Sequence, residues 1–197
     1  MIDPQLHLRT SRALLRPLIM EDADAFAPLA NDPSMWAYFT LNLADPLHLG
    51  QWMQAAITDR TAGRRPFTII DRETNQIAGS SSIGNISWHD LRLEIGWSWL
   101  GPKFRSTGIN LHAKYAMMKY AFETLKFERV EFKTDFLNQR ARRGLEKIGA
   151  TAEGVLRSHM TMWNDRRRDS IYYSVLKTEW PNLCATVFKE ITGYEFY

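Results

Sequence analysis

The sequence predicts an α+β domain in which helices flank one mixed, mostly antiparallel sheet. Apolar and polar residues alternate at 91–99, as in a strand with one apolar face. Apolar residues then recur every three or four positions at 111–125, as on one face of a helix. Another strand pattern follows at 129–135, and a strand that follows a helical crossover can pair in parallel with the strand before it. This order of elements excludes a helical bundle and a β-sandwich.

Composition favours a single domain. The chain has 197 residues, a usual size for one domain, and 45% of them are apolar, which is enough for a core. We expect one domain over residues 1–197, with a core at about 8–181 and a tail at 182–197. The sequence has no run of about 18 uncharged apolar residues and no signal-peptide pattern. We therefore expect a cytoplasmic protein with no membrane partner.

Charge and cysteine content limit the partners. The net charge is +3 and the pI is near 9, with acids and bases interspersed, so we expect no nucleic-acid partner. The same balance suits an anionic cofactor. The single cysteine, Cys184, excludes an intrachain disulfide. The five histidines show no metal-ligand spacing, so no metal site is expected.

The first third of the chain predicts a strand followed by helices. The strand covers 12–18, and the helix at 21–30 carries acids in its first turn, where they complement the helix dipole. A short helical turn opens at Asp32-Pro33. Asp45-Pro46 predicts the start of a third helix that reaches about Thr61. Its apolar stripe is formed by Leu49, Trp52, Met53, Ala56 and Ile57.

A meander of three antiparallel strands follows, at 67–71, 76–87 and 91–99. The small residues at 79–82 leave space over its face. In the third strand Glu94 is the only carboxylate on the polar side, and Gly96 beside it suggests a β-bulge or a close backbone approach. The predicted apolar side is formed by Leu91, Leu93, Ile95, Trp97 and Trp99, and the other side by Arg92, Glu94, Gly96 and Ser98.

The loop at 103–110 has the features of an anion site. It contains two cations, two hydroxyls and a glycine, and it leads into a helix that begins near 108–110. A helix N-terminus offers unpaired N–H groups and the positive end of a dipole, which suit phosphate oxygens. Neither the Walker pattern G-x-x-x-x-G-K-[ST] nor the dinucleotide pattern G-x-G-x-x-G is present.

The last third predicts a strand at 129–135, a helix opened by Asn138 and ended by Gly149, and a hairpin of strands at 151–161 and 168–176. Three arginines at 166–168 lie at the hairpin tip, where we expect them to be solvated. The tail at 179–197 is expected to begin as a helix. It ends in the aromatic residues Tyr194, Phe196 and Tyr197, which suggest a partner subunit and leave a homodimer open.

Several motifs resemble one known family. Arg105-Ser106-Thr107-Gly108-Ile109-Asn110 resembles the [QR]-x-x-G-x-[GA] pyrophosphate loop of the GNAT superfamily of acyl-CoA N-acyltransferases, with Asn110 where the family has Gly or Ala. Segments that resemble its RimJ/RimL-like branch, the ribosomal-protein N-terminal acetyltransferases, are Leu15-Arg16-Pro17-Leu18, Glu94-Ile95-Gly96-Trp97, Thr134-Asp135, Asn138, Glu146-Lys147 and Gly149-Ala150. The match runs in the expected order over roughly residues 8–181, so the motifs are specific as a set.

The resemblance implies a fold and an activity. The fold is a GNAT-type domain with a seven-stranded mixed sheet in which one parallel strand pair splays apart and admits the pantetheine arm of coenzyme A. The activity is acetyl transfer from acetyl-CoA to a primary amine by direct attack in a ternary complex. The acceptor is a protein N-terminus or a small amine such as an amino acid or an antibiotic. An acyl-CoA-binding module with little or no turnover is the alternative.

Glu94 is the candidate general base, because an alkylammonium with a pKa of about 10 needs a positioned carboxylate to lose its proton near pH 7. The alternative is a solvent-exposed or salt-bridged strand carboxylate, with Arg92 as its partner. A backbone N–H near 96–98, freed by a bulge, would polarise the carbonyl. No catalytic acid is assigned. The family carries Tyr or Ser where this chain has Leu145 and Ala141, which leaves solvent, Tyr172, Tyr173, Tyr115 or no donor.

The expected contacts of coenzyme A are Gly96, Trp97, Ser98, Arg105, Ser106, Thr107, Gly108, Ile109, Asn110, Asn138 and Arg142. The resemblance assigns the pyrophosphate to the loop and the pantetheine arm to Asn138, which otherwise only caps its helix. Arg142 is placed to reach the adenosine 3′-phosphate. The aromatic residues expected to line the roof of the acceptor pocket, or else to be ordinary core residues, are Trp36, Tyr38, Phe39 and Trp52.

Overall fold

A computed structural model describes residues 2–60 and 63–197 of the protein. The strands in these ranges are β1 (Leu8–Arg9), β2 (Ala13–Pro17), β3 (Arg65–Asp71), β4 (Gln76–Ser87), β5 (Arg92–Leu100), β6 (Arg129–Asp135), β7 (Thr151–Thr161), β8 (Arg167–Leu176) and β9 (Glu195–Phe196). The helices are α1 (Ala23–Ala30), α2 (Pro46–Thr58), α3 (Ile109–Lys119), α4 (Gln139–Lys147) and α5 (Trp180–Ala185). None of these helices is long and apolar enough to cross a membrane.

All the strands belong to one sheet, in the spatial order β7-β8-β6-β5-β4-β3-β2-β1-β9. Neighbouring strands pair antiparallel except β5 and β6, which pair in parallel. The predicted α+β class with one parallel pair is therefore confirmed. The predicted count of seven strands is too low, because the described part of the chain forms nine. The additional strands, β1 and β9, have two residues each, too few to show an alternating pattern.

The aromatic tail packs against its own chain. It begins with α5, as predicted, and ends in β9, which pairs with β1. The ring of Tyr194 contacts that of Tyr115, and the ring of Phe196 contacts that of Tyr120. Phe196 and Tyr197 nevertheless remain 48% and 64% exposed, so the possible homodimer stays a prediction.

The helices near the N-terminus differ from the prediction at their ends. Helix α1 begins at Ala23, two residues late, because Met20–Asp22 form a 3-10 turn. Asp45 caps α2 as expected, since its Oδ1 accepts a hydrogen bond of 2.8 Å from the Leu47 N–H. Helix α2 ends at Thr58, so the predicted helix was too long. Its predicted end, Thr61, lies outside the described residues.

Helices cover both faces of the sheet. Consecutive strand residues point to opposite faces, and Ser98 and Trp99 of β5 show which helices lie on each side. The Ser98 hydroxyl is bonded to Lys114 of α3. The Trp99 ring packs against Phe26 of α1 and Trp52 of α2. Helix α3 therefore covers one face of the sheet, and α1 and α2 cover the other.

Strands β5 and β6 diverge after a short parallel contact. Their last pair is Glu94 with Glu131, although β5 continues to Leu100 and β6 to Asp135. Beyond Glu94 the two strands do not pair with each other, so their facing edges border a gap. The predicted splayed pair is present, and its gap opens beside Glu94.

Asp22 is a buried acid that joins the start of α1 to the sheet. Only 3% of the residue is exposed, and its carboxylate pairs with Arg16 of β2. The same carboxylate accepts a hydrogen bond from the Thr68 hydroxyl of β3. Asp22 therefore neutralises the charge of Arg16. The sequence had suggested that the acids at this position complement the helix dipole.

We expect Asp22→Ala to lower the free energy of unfolding by about 3 kcal/mol, because it leaves Arg16 and Thr68 without their partner in a buried site. Asp24→Ala removes an exposed acid from the same turn and should cost less than about 1 kcal/mol. Urea unfolding of both variants measures the difference. Equal losses in the two variants would show that the buried pair adds no stability.

Candidate active site

Strand β5 contains a β-bulge next to the gap. The ladder between β4 and β5 shifts register so that one residue of β4, Ser81, lies opposite two residues of β5, Trp97 and Ser98. Trp97 has a positive φ of 52°. The bulge that Gly96 suggested is therefore present, one residue further along the strand.

Because of the bulge, the side chains of β5 alternate differently from the predicted pattern. The sequence placed Ser98 on the side of Glu94 and placed Trp99 on the opposite, apolar side. In the structure Ser98 contacts α3, whereas Trp99 packs against α1 and α2. The prediction is wrong beyond Gly96, because one inserted residue reverses a period of two.

The Glu94 side chain is buried and held at one oxygen. Only 3% of the residue is exposed. Its Oε2 accepts a hydrogen bond of 2.7 Å from Asn85 Nδ2 and lies 3.1 Å from Lys133 Nζ. Its Oε1 faces Gly96, where an added Cβ would come within 2.7 Å of it. The small residue thus leaves room for the carboxylate at the edge of the gap.

The ion-pair partner of Glu94 is Lys133, and the suggested pairing with Arg92 is wrong. Arg92 lies 3.7 Å from Asp90 and 3.5 Å from Glu131 in its ion pairs. Arg92 precedes Glu94 by two residues and therefore was the obvious candidate by sequence. Lys133 comes from β6, so only the parallel pairing of β5 and β6 brings it to Glu94.

Two cavities meet near Glu94. The first has a volume of about 800 Å³, and its lining includes Asp59, Asn85, Glu94, Glu131 and Tyr172. The second has about 340 Å³, and its mostly apolar lining includes Trp36, Phe39, Leu43, Trp52 and Trp99. Arg64 and Trp97 line both, with the guanidinium 4.4 Å from the ring centroid. Among the described residues, no group of three or more His, Cys, Asp or Glu could hold a metal ion.

The second cavity is lined by three of the four aromatic residues that were expected in the roof. Trp36, Phe39 and Trp52 line it, whereas Tyr38 is not among its lining residues. Trp36 is also fully buried, and its Nε1 donates a hydrogen bond of 2.8 Å to the Ala30 carbonyl. Trp36 therefore serves as a core residue and as a cavity wall.

The loop that precedes α3 has an open helix N-terminus. Gly108 is the N-cap, with a φ of 91° that favours glycine, and no side chain caps the first turn. Ser106 and Asn110 are exposed, whereas the Ile109 side chain lies in the core and can offer a ligand only its backbone. Thr107 Oγ1 donates to the Phe104 carbonyl at 2.8 Å, which fixes the turn. The first N–H groups of α3 are thus left for an anion.

Two arginines approach this loop. Arg105 is half-buried, and its Nε donates to the Leu100 carbonyl at 3.3 Å. Burial lowers the pKa of Arg105, and repulsion by Arg140 of α4 lowers it further. Two guanidinium groups that repel each other form a site that an anion would stabilise.

The structure places Asn138 and Arg142 at the start of α4. Asn138 Oδ1 accepts a hydrogen bond of 3.0 Å from the Ala141 N–H, so the predicted cap is formed. Arg142 donates to Tyr173 Oη at 3.3 Å and to the Phe136 carbonyl at 3.2 Å. These bonds hold its guanidinium between β8 and the residue that follows β6. Arg140, by contrast, repels the guanidinium of Arg105 in the loop.

The three tyrosines considered as proton donors lie in different places. Tyr173 is buried and its hydroxyl donates to Glu146 Oε1 at 3.0 Å, while burial raises its pKa. Tyr115 packs against Trp180, with ring centroids 5.7 Å apart, and burial raises its pKa too. Tyr172 lines the first cavity together with Glu94. Of these three, only Tyr172 shares a cavity with the candidate base.

Lys114 is a buried residue of the site that the sequence analysis missed. Only 5% of it is exposed. Its Nζ donates to Ser98 Oγ at 2.7 Å and to Ser81 Oγ at 3.4 Å, and lies 5.6 Å from the centroid of the Phe132 ring. Burial lowers the pKa of Lys114 to about 7, and the opposing attraction of Glu94 is smaller. From the α3 side of the sheet, the amine thus contacts Ser98 on β5 and faces Phe132 on β6.

A signal for Lys114 was present in the sequence. Positions 114, 117, 118 and 121 lie on one face of a helix, and the last three are Met117, Met118 and Ala121. A lysine on an otherwise apolar helix face is costly to bury unless it is paired. The small residues at 79–82 gave the matching space, and one of them, Ser81, contacts the amine.

The hairpin tip agrees with the prediction of solvation at Arg167, which is exposed, and differs from it at Arg166 and Arg168. Arg166 pairs with Asp135, which is fully buried, and only 7% of Arg168 is exposed. Trp163 Nε1 donates to the Trp36 carbonyl at 3.0 Å, which joins the hairpin to the wall of the second cavity. The tip is therefore attached to the rest of the domain through Asp135 and Trp36.

Comparison with known proteins gives the family. Residues 12–151 match the family model described as "Acetyltransferase (GNAT) domain". The chain belongs to the GNAT acetyltransferases. GNAT enzymes use acetyl-CoA, so the chain is an acetyl-CoA-dependent N-acetyltransferase, as the sequence motifs predicted.

The relatives of this GNAT chain include RimJ/RimL-like proteins. It is 32% identical over 148 residues to the Bacillus subtilis protein named "Putative ribosomal N-acetyltransferase YdaF", covering 67% of the chain and 80% of that protein. It is 30% identical to a "putative acetyltransferase from T. thermophilus", with a TM-score of 0.83 and coverage of 96% and 98%. Mycobacterium smegmatis RimJ in complex with CoA-disulfide is 19% identical with a TM-score of 0.78, covers 94% and 95%, and shares the fold.

We expect the stability of the GNAT chain, relative to Lys114→Met, to rise between about pH 7 and pH 10, because Lys114 holds fewer protons folded than unfolded in that range. Below this range Lys114 is charged in both states, so the full destabilisation from burying its charge is present. The destabilisation decreases as the pH rises through the range. The slope should be at most about 1.4 kcal/mol per pH unit. Urea unfolding at several pH values measures it, and a constant difference from pH 7 to 9 would contradict the buried charge.

Proposed function

We propose that this GNAT enzyme transfers acetyl from acetyl-CoA to a primary amine by direct attack in a ternary complex, with Glu94 as the base. The observation that carries the proposal is the divergence of β5 and β6 at Glu94. The gap begins beside a buried carboxylate, and the bulge at Trp97 and Ser98 lies on its edge. A thioester in the gap would thus lie between a base and a distorted strand.

The residues present fit coenzyme A. The uncapped N-terminus of α3 at Gly108 suits the pyrophosphate, with Arg105 and Arg140 as its nearby cations. The edges of β5 and β6 offer backbone groups to the amides of the pantetheine arm, as a strand edge does for a peptide. We therefore assign the loop from Arg105 to Asn110 to the phosphates and the stretch from Gly96 to Ser98 to the thioester end. Asn138 and Arg142 are secondary contacts, since both make bonds within the chain.

The acceptor amine is assigned to the first cavity. Its lining has three carboxylates, Asp59, Glu94 and Glu131, against two guanidinium groups, Arg64 and Arg92, and this excess of one negative charge favours an alkylammonium. Glu94 accepts the proton of that ammonium, directly or through water, so that the neutral amine attacks the thioester carbonyl. A backbone N–H at the bulge stabilises the negative charge that develops on the oxygen.

The second cavity suggests which amines fit. Its volume of about 340 Å³ and its aromatic lining suit an apolar side chain, and it meets the first cavity at Arg64 and Trp97. A peptide N-terminus presents an amine and a side chain that could occupy two adjoining cavities. We therefore favour a protein N-terminus over a small amine. The name of the ribosomal N-acetyltransferase relative supports the same choice.

An acyl-CoA-binding module with little turnover is the second candidate. It is favoured by the engagement of Glu94 with Asn85 and Lys133, and by Leu145 and Ala141 at the positions where a hydroxyl donor was expected. Thiol release from acetyl-CoA separates the two candidates. The test uses short peptides with free N-termini, amino acids and aminoglycosides. Release with at least one acceptor supports the enzyme, and tight binding without release supports the module.

We expect Gly108→Glu to weaken acetyl-CoA binding by at least about tenfold, because it puts a negative charge beside the pyrophosphate and strains a backbone with a φ of 91°. Gly154→Glu makes the same charge change in the exposed edge strand β7 and should leave binding unchanged. Calorimetry with acetyl-CoA measures both. Equal affinity in the two variants would remove the phosphate assignment of the loop.

We expect Glu94→Gln to lower kcat about 10²-fold to 10⁴-fold with little effect on acetyl-CoA binding, because general-base catalysis contributes that much. Glu131→Gln is the matched control, since Glu131 is the neighbour of Glu94 in the parallel pair and lines the same cavity. It should affect the KM for the amine more than kcat. A Glu94→Gln enzyme with unchanged kcat would leave the carboxylate only a structural role.

A further inference from the structure

We propose that Lys114 is the catalytic acid that protonates the thiolate of coenzyme A when acetyl transfer breaks the carbon–sulfur bond. The proposal rests on the proposed function, because it requires the thioester to lie in the gap between β5 and β6. It adds a residue that neither the motifs nor the family comparison assigns.

The position of the amine carries the argument. Lys114 projects from α3 toward the sheet, and its Nζ contacts Ser98 on one diverging strand and faces the Phe132 ring on the other. The amine therefore lies on the α3 side of the gap, at the level of the bulge. A thioester bound at the bulge would have Glu94 on one face of the sheet and the Lys114 ammonium on the other. Base and acid are thus separated by the reacting bond.

The other possible donors are less well placed. Leu145 and Ala141 have no proton to give, and Tyr173 is bonded to Glu146. Tyr115 packs against Trp180, on the part of α3 that faces the C-terminal tail. Tyr172 lines the acceptor cavity, and it lies on the same side as Glu94. Lys114 is the one buried ammonium among the described residues that contacts β5 at the bulge.

The surroundings of Lys114 suit proton transfer. The groups that face its Nζ are the hydroxyls of Ser81 on β4 and Ser98 on β5, the ring of Phe132 on β6 and the charge of Glu94. Burial lowers the pKa of Lys114 to about 7, close to the operating pH that favours a general acid. A thiol has a pKa of about 8.5, so transfer from this ammonium to a thiolate is downhill.

The atoms balance in this sequence. The amine nitrogen of the acceptor bonds to the acetyl carbon, and Glu94 takes the proton that the nitrogen loses. The carbon–sulfur bond breaks, and the sulfur takes a proton from Lys114 Nζ. Solvent then returns a proton to Lys114 and removes one from Glu94. The products are the N-acetylated acceptor and coenzyme A with a free thiol.

The first test needs no acceptor. Free coenzyme A is bound to the wild type, to Lys114→Met and to Lys119→Met, and the thiol is titrated by the ultraviolet absorbance of its thiolate. Lys119 lies on the same helix and pairs with Glu123, so its variant is the matched control. We expect part of the thiolate of bound coenzyme A to form near pH 7 in the wild type and in Lys119→Met, where Lys114 still carries charge, and much less to form there in Lys114→Met.

The second test measures rates with saturating acceptor over a range of pH. Lys114→Met should lower kcat about a hundredfold with little change in the KM for acetyl-CoA, and should remove the alkaline fall in rate of the wild type. Lys114→Arg keeps the charge but holds its proton too firmly to donate it, so it should stay slow. Lys119→Met should match the wild type. Lys114→Gln is a second neutral variant and should behave as Lys114→Met does.

The outcomes separate the two proposals. Failure of the wild type to bind coenzyme A overturns both the proposed function and the role of Lys114. Binding with the same amount of thiolate near pH 7 in the wild type and in Lys114→Met overturns only the role of Lys114. Full activity of Lys114→Arg also overturns it, because charge alone would then be sufficient. Much less thiolate near pH 7 in Lys114→Met, together with the loss of the alkaline limb, supports it.

Discussion

The site depends on one extra residue in β5. The bulge at Trp97 and Ser98 reverses the side-chain alternation just beyond the last parallel pair of β5 and β6. Without the bulge, Ser98 would point to the face of Glu94 and the Lys114 amine would lose its shortest hydrogen bond. A two-residue period allows only two outcomes for each side chain, so a single insertion decides which groups lie on each face.

Glu94 and Lys114 are buried charges on opposite faces of the sheet, and their mutual attraction only partly offsets the cost of burying them. Glu94 is paired with Lys133 across the parallel strands, and this pair fixes the carboxylate at the start of the gap. Lys114 has hydroxyl partners and only a distant attraction to Glu94, so burial is the larger effect on its charge. A buried ammonium without a direct ion pair is costly, and perturbed groups of this kind are typical of functional sites.

Local patterns predicted much of the fold, and they failed where contacts are distant in sequence. The start of α3 near 108–110, the cap by Asn138 and the hairpin at 151–176 depend on neighbouring residues, and they were predicted correctly. The short strands β1 and β9 exist because they pair across the whole chain. Lys133 reaches Glu94 and Arg166 reaches Asp135 through strand pairing, which periodicity does not show.

The sequence by itself determined the α+β class, the single parallel pair and the family, because each follows from local periodicity or from a motif with a fixed spacing. It also marked Gly96, beside Glu94, as the position of a bulge or of a close backbone approach. Only the tertiary structure decided which side chains meet at the gap: Lys133 with Glu94, and Lys114 with Ser98. Those meetings require strands and a helix that lie far apart in the chain to pack together, and burial then sets the charge of Lys114.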